Sequence, residues 1–165
     1  MDISSRSTLA RMSLHFTHDT LGQRVMLGAG RAAEHLRAEV ERLGAARLMV
    51  NSSELGVEQA REVAGLIDVA VHHTDVAMHV PVEVAERARD VARRHDIDLM
   101  VAVGGGSVIG LAKAVALTSG IPSIAVPTTY AGSEATNVWG LPENERKTTG
   151  PDDRALPPAG IYDSH

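Results

Sequence analysis

At 165 residues, with 44% hydrophobic and 22% charged side chains, the chain has the size and balance of one globular domain with a core of its own. Its net charge of −5, from 16 basic and 21 acidic side chains, and its one Trp, two Tyr and one Phe speak against a nucleic-acid binder, which needs a basic field and aromatic platforms. The lack of cysteine excludes disulfides, thiolate zinc sites and a Cys nucleophile; with no apolar run of about 18 residues and no signal-peptide core, a cytoplasmic protein with no membrane association is the default expectation.

In chain order, "LHFTH" and "RVMLG" read as short strands. From Arg31 to Leu43, the residues Ala32, Ala33, Leu36, Val40 and Leu43 share one helical face, and Gly44 supplies the stop. "RLMV" at 47–50 is a strand, "GVEQAREVAGLI" at 56–67 a helix and "VAVH" at 69–72 a strand. Pro81 opens the next helix; Glu83 and Glu86 early, and Arg93, Arg94 and His95 late, suit its dipole. A strand at 98–103, a helix at 107–118 with Ser107 as its cap, a strand at 123–126 and a late strand at "GIYD" complete the pattern. The segment 140–160, rich in Pro and Gly, reads as a hairpin or surface loops. Alternating β and α units imply an α/β domain, a mostly parallel sheet with helices on both faces.

In such sheets ligands bind beyond the carboxyl ends of the strands, and two loops of the right chemistry fall there. One is "GGGS", Gly104–Ser107; the other is "PTTYAGSE", Pro127–Glu134. The first meets no standard phosphate signature. A GxGxxG motif counted from Gly104 requires glycine where Ile109 stands, and a P-loop counted from Gly105 requires lysine where Leu111 stands. By itself it is either an anion cradle at a helix N-terminus or a turn that needs glycine for its shape. The second loop, with hydroxyls at Thr128, Thr129 and Ser133, raises the nucleotide reading above the turn reading.

Other residues are weaker candidates. Lys113, the one charge in an apolar helix, either reaches a cofactor or snorkels to solvent. His72 and His73 point to opposite faces of a strand and, with His79, fit no metal-ligand spacing, so no metal site is expected. Glu134 is a general base or a fixer of its loop, and Ser133 lies outside any hydrolase elbow.

The stretches "VGGGSVIGLAKAVAL", "IPSIAVPTTYAGSEATNVWGL", "RKTTGPDDRALP" and "IYD" resemble the N-terminal half of the maleylacetate reductases, a branch of the iron-containing alcohol dehydrogenase superfamily; "RVMLGAG" and "MHVPVEVA" match as well. The resemblance implies a Rossmann-like domain of the dehydroquinate-synthase type over residues 1–165, binding NADH or NADPH, in an enzyme that reduces maleylacetate to 3-oxoadipate during aromatic degradation. It places Gly105, Gly106 and Ser107 against the pyrophosphate. Thr128 and Thr129 fall along the phosphates and nicotinamide ribose, and Val138, Trp139 and Lys147 on the nicotinamide side. Ser52 falls where many relatives carry an Asp that holds the adenosine ribose, which leaves NAD against NADP open. The family continues into a helical domain with the metal ligands, whereas this sequence stops at His165. The resulting expectation is half of a reductase, associating with itself or with a helical partner; the alternative is a non-catalytic dinucleotide-binding or regulatory module.

Overall fold

The computed structural model describes residues 21–143 and 146–164. Six parallel strands form one sheet in the order β1-β8-β5-β4-β2-β3. They are β1 (Arg24–Leu27), β2 (Leu48–Asn51), β3 (Val71–His73), β4 (Leu99–Gly104), β5 (Ser123–Pro127) and β8 (Ala159–Tyr162). The antiparallel hairpin β6 (Val138–Glu143) and β7 (Arg146–Pro151) stands apart from it. The segment 140–160 thus resolves largely into a hairpin, in register Trp139 with Gly150 and Pro142 with Lys147. The expected strand "LHFTH" lies outside the described residues.

Alternation along the strands sends side chains to two cores. Met49, Met100, Ala102 and Ala125 meet α3 (Val82–Arg94) and α4 (Gly106–Ser119) on one face. Leu48, Val50, Leu99, Val101, Val103, Ile124, Val126 and Ile161 meet α1 (Ala32–Leu43) and α2 (Val57–Val63) on the other. Both faces are covered, as an all-parallel sheet requires.

Helix ends follow from local chemistry. Gly44 and Gly120 stop α1 and α4 in left-handed conformations, with φ of 66° and 73°. The start of α1 is capped from the far end of the chain, where the Asp163 carboxylate accepts from the N–H groups of Gly30 (2.7 Å) and Ala32 (3.1 Å). Two expectations need correction. The helix expected over 56–67 is a 3₁₀ turn at Glu54–Gly56 followed by α2, which ends at Val63 because Gly65 folds back as a turn, its N–H on Glu62 O. Ser107 does not cap α4. The helix begins one residue earlier, with extended Gly105 as its N-cap and no side-chain cap bond.

Candidate functional site

The two glycine- and threonine-rich loops emerge from adjacent strands. Gly104 pairs with Pro127 in the β4–β5 register, and Thr128 N–H donates to Gly104 O at 3.1 Å. Gly104 has a φ of 157°, and a Cβ there would stand 2.5 Å from Val108 Cγ2, so only glycine lets the strand turn into α4. A Cβ on Gly105 would approach Thr129 to 3.2 Å, which makes Gly105 and Thr129 the ridge where the loops touch. Beyond it, the first-turn N–H groups of α4 at Gly106 and Ser107 have no carbonyl to meet within the helix. No acidic side chain occupies that turn.

A cleft opens on each side of this ridge. The first, about 750 Å³, lies on the α1/α2 side, at the ends of β1, β5 and β8. Thr128, Thr129, Glu134, Tyr162 and Asp163 line it, together with Glu62 from α2. The second, about 480 Å³, lies on the α3/α4 side and is lined by His79, Gly106, Ser107, Lys113, Val138 and Trp139, among others. The 3₁₀ turn Ser133–Ala135 divides them, since Ser133 faces the second cleft and Glu134 the first.

The dividing turn is tied on both sides. Tyr162 donates its hydroxyl to Glu134 Oε1 at 3.2 Å, and Gln23 Nε2 donates to Glu134 O at 2.7 Å. Glu134 is 5% exposed and its Oε2 has no partner among the described residues. Burial, then the neighbouring Glu134 charge, pushes the Tyr162 hydroxyl pKa up. Of the two readings offered for Glu134, this geometry favours the loop fixer. On the other side, Lys113 is 2% exposed and does not snorkel to solvent; it lines the second cleft with its ammonium held by hairpin oxygens. Its Nζ donates to Thr136 O (2.7 Å), Thr136 Oγ1 (3.1 Å) and Val138 O (3.0 Å), pinning the start of the hairpin to α4. Burial pushes its pKa down to about 8, opposed by the Glu134 charge.

The remaining sequence candidates fall as follows. Gly106, Ser107, Val138 and Trp139 share the second cleft, and Thr128 and Thr129 the first. Lys147 lies on β7 opposite Pro142. Ser52, just beyond β2, is buried, its N–H on His73 O at 3.1 Å, and lines neither cleft. His73 is buried beside Asn51, and burial lowers its pKa; His72 is exposed, and among the described residues no three His, Cys, Asp or Glu side chains converge as metal ligands. Sequence reasoning missed Tyr162 and Asp163, whose partners are distant in the chain. It weighed His79 only as a metal ligand. Among the described residues no helix is long and apolar enough to cross a membrane.

Comparison with known proteins gives this geometry a context. A model of the iron-containing alcohol dehydrogenases matches residues 22–164. The maleylacetate reductase of Pseudomonas sp. strain P51 is 47% identical over 152 residues, covering 91% of this chain and 43% of its own. An iron-containing alcohol dehydrogenase from Corynebacterium glutamicum superposes with a TM-score of 0.89 at 59% identity, over 92% of this chain and 43% of that one. Sulfoacetaldehyde reductase from Bifidobacterium kashiwanohense, crystallised in complex with NAD+, superposes with a TM-score of 0.78 at 26% identity, over 92% of this chain and 46% of that one. The chain spans less than half the length of these relatives.

Proposed function

The chain belongs to the iron-containing alcohol dehydrogenase family, and on that premise we propose that it is the dinucleotide-holding part of an NADH- or NADPH-dependent reductase that converts maleylacetate to 3-oxoadipate. The observation that carries this reading is the ridge of Gly105 and Thr129 at the ends of adjacent strands, with a cleft on either side. A dinucleotide has that bipartite form, two nucleosides joined by an anionic bridge.

The cradle fits the bridge. Gly104 admits no side chain, and the α4 first turn offers free N–H groups with no competing acid, which suits a pyrophosphate. Gly105, Gly106 and Ser107 would hold the phosphates, with Thr128 and Thr129 alongside. Val138, Trp139 and Lys147 would face the nicotinamide; Ser52, buried and lining neither cleft, is given no contact with the cofactor. The reduced nicotinamide, when bound, supplies the hydride for the ketone. This chain's residues bind and orient it, and Lys113 holds the Trp139-bearing wall in place. The described residues supply no iron ligand set, so no step is assigned to a metal.

Tyr130 and Val138 are exposed beside the clefts, which supports a covering partner, either a helical domain or a second chain. The test is calorimetry of the 165-residue chain with NADH and NADPH, for wild type and Gly106→Ala. A Cβ at Gly106 meets only Ala131 Cβ at 3.5 Å, an ordinary contact, so the variant folds, whereas a valine at Gly105 would first displace Thr129. The expectation is binding by wild type and about tenfold weaker binding by the variant, the worth of about one charge-assisted hydrogen bond. Equal heats from both proteins would remove the cradle. Loss of NADH absorbance with maleylacetate, in the presence of the helical half, tests the reaction itself.

A further inference from the structure

The loop between β3 and α3 carries backbone that its residue types disfavour. His79 and Val80 are consecutive non-glycine residues with φ of 62° and 47°. A left-handed conformation is costly for any side chain, most of all for a β-branched one. Such a conformation persists only where the surroundings over-determine it.

Those surroundings are evident behind Val80. Its N–H donates to Ala77 O at 3.1 Å, and its side chain is buried in the α3/α4 core. It packs on Gly110 of α4, where a Cβ would stand 3.2 Å from Val80 Cγ2. Pro81 follows at the start of α3 and removes the freedom to relax forward. Val80 is therefore the anchor, and the exposed His79 beside it faces the second cleft.

The chemistry of that cleft says what an imidazole there can do. Among the described residues two basic side chains line it, Lys113 and His79, and no carboxylate does. The Lys113 ammonium is already spent on the oxygens of Thr136 and Val138. His79 is the one remaining titratable group of the lining and has no hydrogen-bond partner among the described residues. Across from it lie the Ser107 hydroxyl and the first turn of α4, also without an acid.

We propose that His79 binds an anionic oxygen of a ligand in the second cleft, an inference that rests on the dinucleotide reading above. Two sources share that chemistry, a phosphate of the cofactor and a carboxylate of the substrate. Neutral imidazole donates one N–H to either, and its protonated form adds a charge. The strained loop holds the ring in place before the ligand arrives.

The experiment uses the 165-residue chain and two probes, NADH for the phosphate and maleate for the carboxylate. The ring-proton resonance of His79, assigned by its disappearance in His79→Asn, is followed by NMR as each probe is added. Movement with NADH alone identifies the phosphate, with maleate alone the carboxylate, and with both a shared anion position. His79→Phe is expected to weaken the responding probe about tenfold by calorimetry.

His79→Gly separates this role from a structural one. Relief of the left-handed residue raises the thermal midpoint, while affinity for the responding probe falls. A residue that only shapes the loop would give the first effect without the second, and that result overturns the proposal. A His79 resonance that stays stationary with both probes, while NADH binds with measurable heat, also overturns it. If wild type binds no NADH, the dinucleotide reading falls, and maleate alone decides: movement of His79 keeps an anion site, and a stationary signal ends it.

Discussion

The two clefts share the Ser133–Ala135 turn as a partition yet differ in charge and in what holds them. Among the described residues the first is lined by Glu62, Glu134 and Asp163 with no basic side chain, and the second by Lys113 and His79 with no acidic one. Uncharged hydroxyl-bearing groups suit the first, because carboxylates accept their hydrogen bonds and repel phosphate. Anionic groups suit the second. The polarity of a ligand laid across the ridge is thus set before any residue moves. The clefts also have separate braces, Lys113 for the second and the Asp163 and Tyr162 contacts for the first.

Removing those braces one at a time tests whether the clefts are independent. Lys113→Met should have the largest effect, a loss of about 2–3 kcal/mol at neutral pH, since one buried ammonium's three hydrogen bonds to the oxygens of Thr136 and Val138 are lost together. Trp139, the only tryptophan, lines the second cleft alone, so its emission should shift to the red as that wall loosens. A pH signature accompanies the loss. Lys113 titrates near 8 in the fold against an ordinary 10.5, so between these values the unfolded chain holds more protons than the folded one. Wild-type stability should then climb from pH 8 to 10.5 relative to the Met variant. Parallel curves would show that Lys113 is not buried as described.

Asp163→Ala should cost about 1–2 kcal/mol, the worth of a helix cap, and weaken the first cleft. Chemical denaturation gives the cost, and unchanged Trp139 emission would show that the second cleft is unaffected. Tyr162→Phe should be the mildest, about 1 kcal/mol or less for one long hydrogen bond to Glu134. If it also shifted Trp139 emission, the partition would be transmitting strain and the clefts would not be separate.

How much of this is legible in the sequence depends on range. The βα alternation is legible because periodicity is a local property, and α1, α3 and the central strands appear almost where the residues place them. The hairpin is only half legible. Gly140, Pro142 and Pro151 read as loop punctuation, and what holds the two strands is their cross-strand bonding, not an alternating apolar face. Ser107 suggested a cap because serine favours that position, but the close approach of Thr129 to Gly105 and the extended glycine itself decide where α4 begins. Lys113 is least legible of all. Its partners are mostly main-chain carbonyls, which every residue carries, so no residue type at 136 or 138 announces them. The family resemblance assembled Gly105–Ser107, Thr128, Thr129, Val138 and Trp139 as one site; the structure puts Thr128 and Thr129 on the first cleft, Gly106, Ser107, Val138 and Trp139 on the second, and Gly105 against Thr129 on the ridge between.

The position of β8 bears on how the domain is made. Among the described residues the last strand lies between the first and the centre of the sheet, β1 pairs with no other strand, and the Asp163 caps on α1 bridge 133 and 131 positions. During synthesis at about 5–20 residues per second, the opening strand waits on the order of ten seconds before its neighbour exists. The cradle strands β4 and β5 lie side by side and can pair as soon as both emerge. Among the described residues the second cleft is walled by residues between Met78 and Thr149, whereas the first needs Leu27 and Ser164 together. The nascent chain therefore completes its basic cleft first and its acidic cleft last, and closing the acidic one is the slow, long-range step of folding.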